Sequence, residues 1–299
     1  MLKKFRYKEV TWLDLESPTP AETAELGKAY DLHPTLLAEL ERPSPRPKLE
    51  LFNQCVYLIL HFPGAGSDVQ EVDFIIGQNF IITTHYALVN PLNDFAKIFE
   101  ADLTLKRHPD QLHAGFLFFY ILKEIYNTLG ADLNFINDRL RQVEQKVFSG
   151  REREVVTELA EINRRLLDFR WSLQSHREIL AALGEPGEEM FGAKFRYYLQ
   201  TIQGEHERVW RSVENNRATF FDLRETNDSL LSIKTNETMR TLTVGAFVLL
   251  PMTIIAQLFG ISTNYIPLAN HRLVFPIVVG LTLIASFATY LVARLKKWI

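Results

Sequence analysis

The chain has 299 residues, of which 47% are hydrophobic and 23% are charged. This composition excludes a disordered chain, a collagen-like repeat and a coiled-coil rod. The single cysteine, Cys55, cannot form an internal disulfide, which is atypical of a small secreted fold and fits a reducing compartment. The formal net charge of −3 argues against nucleic acid as the main partner, because nucleic-acid-binding proteins present a basic surface.

Acidic side chains are confined to the front of the chain. Residues 241–299 contain no Asp or Glu and four basic residues, whereas residues 1–240 carry all 36 acidic residues and 29 basic ones. The front is therefore predicted to be an acidic soluble body, which is compatible with attracting cations. The back of the chain is predicted to lie in a different environment.

Residues 1–110 are predicted to form a cytoplasmic α/β domain. Runs rich in β-branched and aromatic residues predict strands at Thr11–Leu15, Leu49–His61, Val69–Ile76 and Phe80–His85. A helix is predicted at Pro20–Tyr30, with Thr19 or Ser17 as its N-cap. Three prolines in Arg42–Lys48 predict an extended connector, because proline cannot lie inside a helix without breaking it.

Residues 111–240 are predicted to form a cytoplasmic helical bundle and a stalk helix. Helical periodicity predicts three helices at Gln111–Phe148, Glu152–Leu183 and Glu188–Arg240. The segment Gly184–Gly187 is predicted to break the second helix from the third. The third helix contains no proline and continues into the apolar segment that follows, so one helix of about 70 residues is predicted. A helix of that length needs packing in a bundle or an oligomer to be stable.

Two uncharged segments at the back of the chain, Thr241–Phe259 and Leu273–Ala293, are each long enough to cross a bilayer. The alternative, two core helices of a soluble protein, requires two adjacent apolar runs of this length, which is rare. The short interval between them predicts a helical hairpin. The chain is therefore divided into a first transmembrane helix, an external loop, a second transmembrane helix and a basic cytoplasmic tail, at residues 241–261, 262–272, 273–293 and 294–299.

Basic residues predict the orientation of the hairpin. They flank the outer ends of the two segments, at Lys234, Arg240, Arg294, Lys296 and Lys297. The loop between the segments carries only Arg272. Because positive charge is enriched on the cytoplasmic side of a membrane, both termini are predicted to be cytoplasmic in a multi-pass protein of the inner (plasma) membrane.

The first transmembrane segment has one polar face. Residues at a 3-4 spacing share that face: Met239, Thr243, Ala246, Leu250, Thr253 and Gln257. An amide in hydrocarbon is costly without partners, so Gln257 either bonds to a neighbouring helix or meets water in a pore. Two helices cannot enclose a pore, so the pore interpretation requires an oligomer. Pro251 predicts a kink or a locally unpaired turn.

The chain resembles the CorA-type divalent metal ion (magnesium/cobalt) transporter family. Segments that are similar to the family's landmarks follow one another in order along the chain: Trp12–Leu15, Leu32–Pro34, Arg46–Glu50, Phe80–His85, Thr235–Thr243, Pro251–Ala256, Phe259–Gly260 and Lys296–Trp298. Each segment is weak alone, but their order and spacing together are specific. The resemblance covers the whole chain.

This resemblance implies a funnel-shaped homopentamer. An α/β/α cytoplasmic domain would lead into a stalk helix that becomes the first, pore-lining transmembrane helix. Together with the face described above, the matching positions give a predicted pore lining of Asn236, Met239, Leu242, Thr243, Leu250, Thr253 and Gln257. Asn236, Gln257 and Ser262 would bind a hydrated ion through neutral oxygens. Leu242 and Leu250 would form apolar rings that exclude water.

The predicted outer mouth departs from the family pattern. Gly260, Ile261 and Ser262 stand where the family has Gly-Met-Asn, and the following loop has no acidic residue. Ser262 would present a shorter hydroxyl, with Asn264 as a candidate substitute. The ion is therefore left open between Mg²⁺, Co²⁺ and Ni²⁺. Two alternatives also stay open: a ZntB-like proton-coupled Zn²⁺ transporter, and a non-conducting membrane-anchored ion sensor or scaffold.

Acidic residues on the predicted stalk helix are candidates for regulation: Glu214, Asp222, Glu225 and Asp228. Carboxylates of neighbouring subunits would repel each other until a cation bridges them, so intracellular ion would close the pore. The alternative is an ordinary solvated helix face. The predicted partners are further copies of the chain, the lipid bilayer and divalent cations, with Mg²⁺ as substrate and regulator and with no cofactor. No enzyme is predicted, because the eight histidines lack metal-ligand spacing.

Overall fold

A computed structural model of the chain describes residues 2–52, 54–64, 69–87, 89–105, 113–260 and 274–296. It has two compact units, Met1–Arg224 and Glu225–Ile299. The predicted class is confirmed: a mixed α/β N-terminal part, a long helix and two apolar helices near the C-terminus.

The first unit is built on a six-stranded sheet. In chain order the strands are β1 (Leu2–Tyr7), β2 (Val10–Glu16), β3 (Lys48–Phe52), β4 (Cys55–Pro63), β5 (Val69–Gly77) and β6 (Phe80–His85). Their order across the sheet is β1-β2-β6-β5-β4-β3. All neighbours are antiparallel except β2 and β6, which are parallel. The central strands are buried on both faces, which explains why their sequences are nearly continuous apolar runs.

Helices cover both faces of the sheet and continue into the second unit. They are α1 (Pro20–Tyr30), α2 (Pro34–Glu39), α3 (Asn90–Leu105), α4 (Ala114–Phe148), α5 (Val155–Leu173), α6 (His176–Ala182), α7 (Gly184–Phe191), α8 (Phe195–Gly260) and α9 (Val274–Leu295). The α1 helix matches its predicted bounds. Of the two predicted caps, Thr19 is the correct one, because its hydroxyl accepts the Glu22 backbone N–H while the Glu22 carboxylate accepts the Thr19 backbone N–H.

The sheet lies between two helical layers. On one face, residues of the sheet, of α1 and of α2 form a single buried cluster that includes Leu13, Tyr57, Ile75, Leu26 and Leu36. On the other face, aromatic rings join the sheet to α3 and α4. The ring of Trp12 lies 5.6 Å from that of Phe95, and the ring of Phe74 lies 5.3 Å from that of Phe118. This is the α/β/α order that the family resemblance implies.

The strand prediction at Leu49–His61 is wrong in one respect, because that run forms two strands. Strands β3 and β4 pair antiparallel, starting from Phe52 opposite Cys55. The residues between them in the sequence are Asn53 and Gln54, and asparagine favours tight turns. Strand β1 and helices α2 and α3 were not predicted.

Two helix predictions are also wrong. The predicted helix Glu152–Leu183 is divided into α5 and α6, and the predicted break at Gly184–Gly187 lies inside α7. Gly187 serves close packing, because a Cβ added there would collide with the ring of Phe195. The break comes later, at Gly192, whose φ of 84° is accessible mainly to glycine, so α8 begins at Phe195.

A buried hydrogen-bonded chain ties α4 and α6 to the sheet. His176 is fully buried, and its Nε2–H donates to the backbone oxygen of His61 at 2.8 Å. Its Nδ1 therefore accepts from the hydroxyl of Tyr126, also at 2.8 Å. Burial, together with the nearby His206, lowers the pKa of His176 to about 3. The folded state therefore favours the neutral imidazole.

Acidification is expected to destabilise the first unit through His176. The unfolded chain takes up a proton below a pKa of about 6.5, but the folded chain cannot, so the free energy of unfolding should fall by about 2 kcal/mol between pH 7 and pH 5. Thermal unfolding at several pH values measures this loss. In His176→Gln the dependence on pH should be flatter, although the variant is less stable at pH 7. An unchanged slope in this variant would contradict the assignment.

Candidate functional site

The predicted pore-lining residues of the second unit lie on one face of α8. At about 100° per residue, the face defined by Met239, Thr243, Ala246, Leu250, Thr253 and Gln257 spans an arc of about 80°. Asn236 and Leu242 extend that arc by about 20° on either side. We call this set of eight residues the polar face. Every one of its members is exposed in the single chain.

The opposite side of the same helix is covered. Its least exposed residues, about 150° from the centre of the polar face, are Val244, Val248, Pro251 and Ile255. The contrast is large, since Val244 is 5% exposed whereas Leu242 is 69% exposed. Helix α8 stays continuous through Pro251. The chain therefore covers one side of α8 and leaves the polar face uncovered.

Helix α9 also has one covered face, made mostly of small residues: Val278, Thr282, Ala285, Ser286, Thr289 and Ala293. Small residues let transmembrane helices approach closely. The hydroxyls of Thr282 and Thr289 donate to backbone oxygens of their own helix, so neither needs a partner outside it. We infer that α8 and α9 pack together through their covered faces. Both are long and apolar enough to cross a membrane.

Threonine hydroxyls supply oxygen acceptors on the polar face. The hydroxyl of Thr243 donates to the Met239 backbone oxygen, and that of Thr253 to the Leu250 backbone oxygen, both at 2.8 Å. Because the hydroxyl hydrogen is used within the helix, the lone pairs of the oxygen remain available as acceptors. Thr235, which was not predicted, lies four residues before Met239, in the same arc, and donates in the same way. The spacing of four residues between Thr235 and Met239 was the sequence signal that places Thr235 on this face.

The predicted outer mouth falls mostly outside the described residues. Gly260 is the last residue of α8. Ile261, Ser262 and Asn264 lie beyond the part of the chain that the structure describes. Their predicted role in selectivity stays a prediction.

The predicted regulatory carboxylates differ in their surroundings. Glu214 pairs with Arg170 at 3.5 Å and with Arg217 at 3.4 Å, so its charge is already compensated within the chain. Asp222 is exposed in the first unit, and Glu225 and Asp228 are exposed in the second. Over the described residues, no three His, Cys, Asp or Glu side chains are grouped closely enough to hold a metal ion.

Known proteins of one family match nearly the whole chain. The family model of the CorA-like Mg²⁺ transporter protein matches residues 7–297. The cobalt/magnesium transport protein CorA of Thermotoga maritima is 22% identical over 298 residues, which cover 97% of this chain and 83% of that protein. The complete structure of the CorA magnesium transporter from Methanocaldococcus jannaschii is 22% identical and superposes with a TM-score of 0.84, covering 99% of this chain and 93% of that one.

A weaker structural similarity extends to a ZntB cytoplasmic domain. The ZntB cytoplasmic domain from Vibrio parahaemolyticus is 12% identical and superposes with a TM-score of 0.62, covering 76% of this chain and 89% of that one. This match shows a shared fold in the soluble part only. The full-length CorA structure matches the α/β part, the long helix and the apolar helices together. From the match of the family model over residues 7–297, the chain belongs to the CorA-like Mg²⁺ transporter family.

Proposed function

We propose that the chain transports divalent cations, chiefly Mg²⁺ and also Co²⁺ and Ni²⁺, as a homopentamer with the polar face of α8 lining the pore. One observation carries the proposal: the polar face is uncharged, rich in oxygen acceptors and uncovered, whereas the opposite side of the helix is covered. Membership of the family supports it, as does the transport activity named for the relatives. Nothing in the proposal requires a catalytic group or a cofactor.

In an oligomer the polar face can be shielded from lipid. The amide of Gln257 would lose its hydrogen bonds in hydrocarbon, at a cost of several kcal/mol. When several α8 helices surround a common axis, the same amides face water and one another. The family resemblance implies five copies, and we propose that number here.

The membrane topology follows the divisions made from the sequence. We assign residues 1–110 and 111–240 to the cytoplasm, with both termini on that side of the inner (plasma) membrane. Residues 241–261 and 273–293 would cross the membrane, residues 262–272 would lie outside and residues 294–299 would form the basic tail. Positive charge at the outer ends of the two apolar segments supports this orientation.

Neutral oxygens suit the transport of Mg²⁺. The ion gives up its water reluctantly, so a pore works best when it binds the hydrated ion. Rings of Asn236, Gln257 and Ser262 would bind the hydration shell weakly enough to release it, as conduction requires. The membrane potential alone supplies about 4.6 kcal/mol for a divalent ion across 100 mV. Rings of Leu242 and Leu250 would stop the flow by excluding water.

Regulation by cytoplasmic cation is part of the proposal. Carboxylates brought together by neighbouring subunits repel until a cation lies between them. Asp222 and Glu225 are better candidates than Glu214, because Glu214 already pairs with Arg170 and Arg217. Asp228 stays a candidate by its position on the stalk helix. Each would be tested by substitution with the matching amide and a measurement of inhibition by internal Mg²⁺.

The test is ion uptake by vesicles that contain the purified full-length chain. With an inside-negative potential, we expect entry of Mg²⁺ together with Co²⁺ and Ni²⁺, reported by an indicator trapped inside. Empty vesicles and a collapsed potential are the controls. Zn²⁺ flux that requires a proton gradient would favour the ZntB-like alternative. No flux of any of these ions through intact pentamers would favour the sensor or scaffold and reject the proposal.

A further inference from the structure

Two carboxyl groups are buried side by side in the first unit, far along the sequence from the polar face. Glu71 and Asp73 lie on β5, and their side chains point to the face of the sheet that α1 and α2 cover, because alternate residues of a strand share a face. Asp73 is fully buried and Glu71 is 7% exposed. Burying two acidic groups together is costly unless something compensates their charge.

Hydrogen bonds satisfy only one oxygen of each carboxyl group. Asp73 Oδ2 accepts from the hydroxyl of Thr84 at 2.9 Å, and Glu71 Oε2 accepts from the backbone N–H of Ser44 at 2.7 Å. Asp73 Oδ1, Glu71 Oε1 and the hydroxyl oxygen of Tyr57 are buried without a hydrogen-bond partner. Tyr57 lies on the same face of the adjacent strand β4, where its neighbour on that face, Ile59, is opposite Asp73. Unpaired buried oxygens of this kind point to a bound group.

Basic side chains compensate the charge of the pair only in part. Among the described residues, His61 forms an ion pair with Glu71, and its Nε2 lies 3.4 Å from Glu71 Oε2. Lys48 pairs instead with Glu39 at 2.5 Å and Glu50 at 2.8 Å. Burial and the proximity of Glu71 raise the pKa of Asp73 well above its ordinary value. The folded chain therefore favours a proton on Asp73 when no other positive ligand is present, and a bound cation would have to displace that proton.

An open cavity lies next to Glu71. It has a volume of about 640 Å³, and Ser44, His61, Glu71, Tyr86 and Trp171 are among its lining residues. The proline-rich connector forms one wall and holds Glu71 through the backbone of Ser44. Glu71 lines this cavity and is slightly exposed, whereas Asp73 is fully buried.

We propose that Glu71 and Asp73, with the hydroxyl of Tyr57, bind one hard divalent cation of the Mg²⁺ class inside the α/β part of the first unit. Two carboxylates neutralise the ion, and Mg²⁺ is commonly held by one or two carboxylates with water in the remaining positions. Zn²⁺ fits less well, because its protein sites use three or four His, Cys, Asp or Glu ligands and the described residues offer no such group. All residues of the proposed site belong to the first unit, so the proposal does not depend on whether the chain conducts ions.

The experiment is a calorimetric titration of the full-length chain in detergent with Mg²⁺ alone. The variants Asp73→Asn and Glu71→Gln remove one carboxylate each and keep its shape. Asp138→Asn is the matched control, because Asp138 is an exposed acid on α4 outside this cluster. We expect each cluster variant to lose about one Mg²⁺ per chain, or to bind it at least about tenfold more weakly. The control should bind Mg²⁺ like the unchanged chain.

A second measurement protects the result from a folding artefact. Mg²⁺ should raise the melting temperature of the unchanged chain and of Asp138→Asn by more than it raises that of Asp73→Asn or Glu71→Gln. Asparagine mimics a protonated Asp73, so Asp73→Asn should fold without the ion. If Asp73→Asn does not fold, the comparison of Glu71→Gln with the unchanged chain tests the proposal. Identical isotherms for the unchanged chain and both cluster variants would overturn the proposal. Ion uptake is measured separately, so its failure would leave this result standing.

Discussion

Replacing Leu242 with aspartate is expected to raise the resting uptake of Mg²⁺ at least about tenfold in vesicles with high internal Mg²⁺. A ring of leucines stops ions by excluding water, and a ring of carboxylates would hold water and attract cations. Opposite unit charges about 4 Å apart gain about 4 kcal/mol near a protein surface, so a carboxylate ring would attract the cation. Leu242 is 69% exposed, so the substitution leaves the packing of the single chain intact.

The control for this change is Leu242→Ile, which keeps an apolar ring of similar volume. It should stay closed when internal Mg²⁺ is high. The measurement compares initial uptake rates at matched protein content, with pentamers verified by size-exclusion chromatography. If Leu242→Asp takes up Mg²⁺ at the rate of the unchanged protein, Leu242 is not part of the closure, and the assignment of this residue to the pore is wrong.

Replacing Gln257 with leucine is expected to reduce uptake at least about tenfold. The amide of Gln257 is the last polar group of the polar face before the end of α8 at Gly260, and an apolar ring there would remove a binding step for the hydrated ion. Leucine is compatible with a membrane helix, so the variant should insert and assemble. The loss would therefore report on the ion pathway itself.

Two controls accompany Gln257→Leu. Gln257→Asn keeps an amide and should retain most of the uptake. Leu258→Ile changes the adjacent residue, which lies about 100° further around α8 and is off the polar face. Normal uptake by Gln257→Leu would show that this amide does not meet the ion, and would favour its use in helix packing.

Long-range composition made the membrane helices predictable, and local chemistry made α1 predictable. The absence of charge from Thr241 to Phe259 is sufficient to place a membrane helix within α8. The cap at Thr19 fixes the start of α1. The break at Gly184–Gly187 was misplaced because Gly187 serves close packing against Phe195, and a glycine kept for packing cannot be told from a helix-breaking glycine in the sequence.

The polar face could be predicted because helical spacing alone defines it. The carboxyl pair could not, because it depends on the register of the sheet. Asp73 looks like an isolated polar residue in an apolar strand, and its relation to Thr84 and Tyr57 exists only after three strands have paired. In the same way, Glu214 looked like a free acid until α8 packed near Arg170.

The threonine hydroxyls of α8 bear on what else could travel along the polar face. Passing hydrogen ions from group to group by the Grotthuss mechanism requires hydroxyls that can turn and hand on their hydrogens. The hydrogens of Thr235, Thr243 and Thr253 are held by backbone oxygens of their own helix. These residues offer oxygen to a hydrated metal ion but do not themselves relay hydrogen ions, so any hydrogen-ion movement along a lining built from them would have to run through water.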